Sequence, residues 1–212
     1  GEFLSKKKGE KMRICVSGVH GVGKSTLVNW IANQFDLKVY SEMARHLLDT
    51  KYPFEDVNDH LSVFMDFQNE VLDNQTDLLF NLEDDYVTDR SPVDSLAYVV
   101  ERLGADRYSY TYYYDRYLEK VARIMDDVNF DLVLLINFNT QDEIWWKGKI
   151  DGQRNLSPMY MKALNEIMLS LYLRELSETY NYIEIIDDVS LVNRQTEAKE
   201  FIERIKGEDN GS

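Results

Sequence analysis

The stretch Gly18 to Thr26 reads G-V-H-G-V-G-K-S-T and fits G-x-x-x-x-G-K-[ST], the spacing of a phosphate-binding loop. Each residue type has a physical reason. Gly18, Gly21 and Gly23 let the backbone turn tightly and come close to an anion, and the N–H groups from His20 through Val22 then aim inward. Lys24 is long enough to reach the outer phosphates, and the Ser25 hydroxyl suits Mg²⁺. A helix starting near Lys24 and running through Thr26 adds the partial positive charge of its N-terminus. These residues describe a nucleoside triphosphate site, with ATP as the expected nucleotide and Mg²⁺ as its metal.

Three further clusters carry chemistry. Asp89-Arg90 closes a β-like run and opens D-R-S-P-V-D-S-L-A-Y. An acid at the C-terminal end of a strand, beside the loop, can hold Mg²⁺, and the adjacent arginine can grip an oxygen-rich acceptor with two N–H bonds. Glu42 and Arg45 stand three apart in V-Y-S-E-M-A-R, so a helix starting there places them on one face. W-W-K-G-K-I-D-G-Q-R-N, Trp145 to Asn155, sets Lys147, Lys149 and Arg154 around two glycines. Cations on a closing loop can neutralise a transferring phosphoryl group and exclude water, and Arg154 is the leading candidate.

The elements that must position these residues follow from periodicity. Five β-like runs, Arg13–Gly18, Lys38–Glu42, Tyr86–Asp89, Leu132–Phe138 and Ile183–Ile186, alternate with helical segments. That alternation predicts an α/β fold with a parallel sheet and helices on both faces. L-V-L-L-I-N-F is apolar enough for a central strand. Helical spacing covers about Met43 to Glu83 with one break at Tyr52-Pro53; Val57, Leu61, Phe64, Phe67, Val71 and Leu72 form its apolar face. Ser91-Pro92 opens another helix. After R-Y-S-Y-T-Y-Y-Y-D-R-Y a helix runs to about Asp127, and one more spans Met159 to Tyr180. Residues 1–10 read as a disordered tag remnant and basic lead-in. Residues 11–206 read as one domain with a lid at about 145–157, and 207–212 as a flexible tail.

Composition narrows the partners. A net charge of −14 disfavours a broad nucleic-acid face, although a local basic pocket needs no overall excess. The lone Cys15 excludes an internal disulfide framework, fits a reducing, cytoplasmic setting, and should point into the core. No apolar run approaches a membrane span of roughly 20 residues. His20, His46 and His60 form no zinc-binding pattern. The tyrosines from Tyr108 to Tyr117 could stack on a base, but their helical spacing fits half-buried packing better.

Asp89-Arg90 with Ser95-Leu96-Ala97-Tyr98 resembles the D-R-Y-x-x-S-S-x-A-Y-Q motif of thymidylate kinases, departing at Ser91, Asp94 and Val99. The wider resemblance, in order over nearly the whole chain, is to P-loop kinases of nucleosides and nucleotides, including the ribosylnicotinamide-kinase-like group of AAA-type ATP-binding proteins. It implies a five-stranded sheet ordered 2-3-1-4-5, Asp89 serving Mg²⁺ and Arg90 the acceptor. It places an acid such as Glu42 near an acceptor hydroxyl, where it can take up the proton as phosphoryl transfer proceeds. It matches Asp151 to Arg154 to the lid, and in kinases of this build Arg194 lies near the adenine. The expected partner is a small nucleoside- or nucleotide-like acceptor. A hydroxyl of a modified base in a polynucleotide and a regulatory ATPase switch are the alternatives, and oligomeric state stays open.

Overall fold

Leu132–Ile136, the sequence LVLLI, is buried at every position and lies inside a fully parallel sheet. The computed structural model describes residues 11–41, 44–104, 107–139, 157–176 and 182–207. Its strands are β1 (Arg13–Ser17), β2 (Lys38–Tyr40), β3 (Tyr86–Asp89), β4 (Leu132–Ile136) and β5 (Ile183–Ile186), in the order β2-β3-β1-β4-β5. That is the expected order. β1 sits between β3 and β4, with Val16 opposite both Asp89 and Leu134. The loop after β1 therefore opens directly beside the end of β3, at the carboxyl edge where ligands bind in open α/β sheets.

Strands buried along both faces require cover on both sides. α1 (Lys24–Phe35) packs with α8 (Leu191–Gly207). α5 (Pro92–Leu103) packs with α4 (Leu61–Phe80), α6 (Arg107–Val128) and α7 (Pro158–Ser170). Cys15 is fully buried, and burial pushes its thiol well above the ordinary range. Among the described residues no helix is long and apolar enough to cross a membrane.

Several boundaries differ from the periodicity. β4 stops two residues before Phe138, because the Phe138 N–H donates to Asn165 Oδ1 on α7 at 2.9 Å instead of joining the ladder. β1 stops before Gly18, whose N–H turns to Asp94. β2 is an edge strand paired only with β3; it ends at Tyr40 rather than Glu42. The region from Met43 has two breaks, not one. α2 (Ala44–Thr50), α3 (Phe54–Asp59) and α4 are separate, because His60 is extended at φ −121°, ψ 114°. Val57 thus lies on α3 while Phe64, Phe67, Val71 and Leu72 are buried on α4. The tyrosine run lies inside α6 rather than ahead of a helix. α7 ends at Ser170 and passes into a π-helical turn, Leu171–Glu175; the expected end at Tyr180 lies outside the described residues.

Replacing Leu134, fully buried in β4, with Ala should destabilise the protein by about 2–5 kcal/mol, read as a lower urea midpoint at unchanged m-value.

Candidate active site

The loop after β1 is made possible by its glycines. Gly18 takes φ +146°, and a Cβ there would meet the Ile136 carbonyl oxygen at 3.0 Å. Gly21 and Gly23 take φ +80° and +93°. The Gly23 carbonyl accepts the Leu27 N–H and starts α1, whose N-terminus carries no side-chain cap and no acid in its first turn. Such a terminus presents free-pointing N–H groups and a positive dipole end to an anion. Lys24 is buried, and its Nζ donates to the Val19 carbonyl at 2.7 Å within the loop. From below, Arg194 donates from Nη1 to the Val22 carbonyl and from Nε to the Asp188 carbonyl, each at 2.6 Å. Its recorded bonds thus fasten the loop to the turn before α8.

Asp89 ends β3 next to this loop. Its Oδ2 accepts the Ser25 hydroxyl at 2.5 Å, while Oδ1 is buried with no hydrogen-bond partner. A buried orphan carboxylate oxygen beside a hydroxyl is a hard-oxygen pair that fits Mg²⁺. Arg90 follows with φ +86°, an uncommon conformation for a residue with a Cβ. It is held there by its N–H to the Val16 carbonyl at 2.9 Å, and by Gln75 Nε2 and Thr88 Oγ1 donating to its carbonyl, each at 3.1 Å. The turn sends its buried guanidinium over the Tyr98 ring, 5.5 Å from the centroid.

Beyond Asp89 and Arg90 opens a cavity of about 460 Å³. Phe64, Phe67, Tyr98 and Tyr160 supply aromatic walls, and Gln68 and Arg90 supply polar groups. His20 is the only loop residue that lines it, among the described residues. A partly open chamber of this size, mostly apolar in surface but with Glu101 and Arg102 also on its lining, suits one small molecule.

The family model of the AAA domain matches residues 13–191. The chain belongs to the AAA domain family. Comparison with curated proteins yields no match. Among solved structures, deoxyadenosine kinase from M. mycoides with bound dATP is similar at TM-score 0.71 and 19% identity, over 91% of this chain and all (100%) of that one. The NadR protein in complex with NR is similar at TM-score 0.68 and 18% identity, over 93% of this chain and 52% of that one. These likenesses establish a shared fold.

In this AAA-domain protein the structure brings together Gly18, His20, Gly21, Val22, Gly23, Lys24, Ser25 and Thr26 with Asp89 and Arg90 at one sheet edge. Glu42, Arg154 and all but residue 157 of the 145–157 lid lie outside the described residues, as does the side chain of Arg45. Of the tyrosines from 112 on, Tyr113 and Tyr114 pack half-buried against the core, Tyr117 is buried with its hydroxyl donating to the Gln68 carbonyl at 3.0 Å, and Tyr112 is exposed; the side chains of Tyr108 and Tyr110 lie outside the described residues.

Sequence reasoning missed Asp94. Fully buried, it accepts the Ser17 hydroxyl at 2.9 Å, the Gly18 N–H at 3.2 Å and the Ser91 N–H at 2.6 Å. Ser91 Oγ in turn accepts the Val93 N–H, so the pair caps α5 while tying it to the loop. Tyr172, set by the π-helical turn, reaches both Ser91 Oγ at 2.5 Å and Ser17 Oγ at 2.9 Å. The spacing S-x-x-D is a capping-box signal, and it was the one available clue. Burial raises the Asp94 pKa, against the opposing pull of Arg90, Lys24 and its backbone donors.

Asp94→Asn should cost about 1–3 kcal/mol, because its –NH₂ must face either the Gly18 or the Ser91 N–H. Between the raised folded value and an unfolded value of about 3.9, folded Asp94 holds a proton that the unfolded chain has released. Wild-type stability from this group therefore grows as pH falls through that window. Urea titrations across pH should show the gap between wild type and Asp94→Asn widening toward acid.

Proposed function

We propose that this protein is a Mg²⁺- and ATP-dependent phosphotransferase that moves the γ-phosphoryl group to a nucleoside- or nucleotide-like small molecule. The observation that carries this reading is a single junction. The glycine loop and an acceptor-sized cavity meet at Asp89 and Arg90, so two reactants can share one floor. A switch that only hydrolyses nucleotide needs no such second chamber. The fold shared with deoxyadenosine kinase supports the same reading.

Each residue then has a defined task. The N–H groups from Gly21 to Ser25 and the start of α1 hold the nucleotide phosphates, and Lys24 leaves the Val19 carbonyl for their outer oxygens. Ser25 and Asp89 Oδ1 would hold Mg²⁺, which when bound screens the charge of the phosphates. Arg90, always cationic and rigidly turned by its backbone, orients the acceptor in the cavity. Glu42 takes the proton from the acceptor hydroxyl, and Arg45 helps orient the acceptor. Arg154 stabilises the charge on the transferring group. These three assignments come from the sequence; Glu42 falls between Ser41 and Ala44, which both line the cavity. Phosphoryl transfer depends chiefly on positioning and electrostatics, and this set of residues supplies both.

The test is a mixed pool of nucleosides and monophosphates, incubated with Mg·ATP and read by mass spectrometry. A product heavier by one phosphoryl group is expected with wild type and absent with Lys24→Ala, whose circular dichroism should match wild type. ADP release that is the same with and without every pool member would overturn the reading, as would full turnover by Lys24→Ala.

A further inference from the structure

By its place in the motif His20 is a nucleotide residue, yet its side chain turns the other way. It is 5% exposed and lines the acceptor cavity rather than the backbone cradle. His20 Nδ1 lies 2.7 Å from the Tyr98 hydroxyl, and the two rings stack at 17° with centroids 6.0 Å apart. Tyr160 closes on the imidazole with a centroid distance of 6.2 Å. Tyr98 meets the buried Arg90 guanidinium twice, through its ring at 5.5 Å and through its hydroxyl, to which Arg90 Nη1 donates at 3.4 Å. Arginine never accepts, so the Tyr98 oxygen receives the Arg90 hydrogen. The same hydroxyl shares its second hydrogen bond with His20 Nδ1, the direction being set by the imidazole tautomer.

We propose that His20 and Tyr98 are positioning residues for the acceptor: the pair holds the Arg90 guanidinium at the cavity floor and thereby sets acceptor affinity. This rests on the phosphotransferase reading above. The nearest competing view is that His20 serves the nucleotide phosphates directly with its side chain. The two views differ in which ligand feels the substitution. Arg90 already carries an uncommon backbone conformation and projects into a chamber with aromatic walls. Tyr98 gives its planar cation a face to lie on and an oxygen to bond. His20 in turn keeps the Tyr98 hydroxyl from rotating away. The effect passes from the phosphate loop to the acceptor floor through two hydrogen bonds.

The experiment compares wild type, His20→Ala, His20→Asn, Tyr98→Phe and the His20→Ala/Tyr98→Phe double variant. Deoxyadenosine, deoxycytidine and deoxyguanosine serve as acceptor probes, and a fluorescent N-methylanthraniloyl ATP with Mg²⁺ as the nucleotide probe. His20→Ala and Tyr98→Phe should each raise the acceptor KM by roughly ten-fold, the scale of one hydrogen bond. Their kcat and nucleotide-probe Kd should stay within about two-fold, and the double variant should be no worse than either single, as members of one chain of contacts behave. His20→Asn, whose amide can donate or accept in place of Nδ1, should recover part of the loss. Additive losses in the double variant would overturn the proposal. So would weaker nucleotide binding at an unchanged acceptor KM. If wild type phosphorylates none of the probes nor any member of the mixed pool, the phosphotransferase reading falls. The pairing itself is then judged by ¹⁵N imidazole resonances, which only three histidines contribute. Tyr98→Phe must shift the His20 Nδ1 signal, and an unmoved signal rejects the pairing.

Discussion

One buried carboxylate, Asp94, joins the parts that have to stay in register. Its two oxygens receive hydrogens from the last residue of β1, the first glycine of the loop and the residue that caps α5. Arg90 directly precedes that cap, so the same carboxylate fixes the phosphate loop and the turn that aims the arginine. A charge taken out of water is costly unless every lone pair is used, and here the loop geometry follows from using them. Tyr172, on the π-helical turn packed against α5, closes the network through Ser17 and Ser91. The loop's shape is thus held from its flank, through Ser17 and Gly18.

The strand order does the rest. With β1 between β3 and β4, a chain leaving β1 for α1 and a chain leaving β3 for α5 depart side by side. One departure carries the glycine loop and Lys24; the other carries Asp89 and Arg90. Asp89 bonds the loop through Ser25, Arg90 lies over the Tyr98 ring, and both line the cavity. Two neighbouring residues therefore join the loop to the cavity. The abrupt change of direction needs the left-handed backbone at Arg90, which three hydrogen bonds hold in place.

How far this was legible in the sequence depends on the range of the interaction. The glycine spacing, the acid-arginine pair at a strand end and the five alternating runs are local patterns, and they set Asp89 beside the loop in a parallel sheet; the strand order came from the resemblance to P-loop kinases. Asp94 could be read as a helix cap, but its bond to Gly18 spans 76 residues and no spacing rule reports it. The same holds for His20 and Tyr98, which are 78 residues apart. The break at His60 carries neither proline nor glycine, and the π-helical turn at Leu171 has no residue signature, so both escaped periodicity. The positive φ of Arg90 is imposed by its neighbours against the preference of the residue itself.

The claim on which everything else depends is that the loop cradles nucleotide phosphates while the chamber past Arg90 stays free for a second reactant. A crystal structure with Mg²⁺ and a non-hydrolysable ATP analogue tests it directly. The account predicts phosphate oxygens ringed by the N–H groups from Gly21 to Ser25, metal density against Asp89 Oδ1, and a cavity still open between Phe64 and Tyr98. Phosphates seated in that cavity, or a metal away from Asp89, would contradict it.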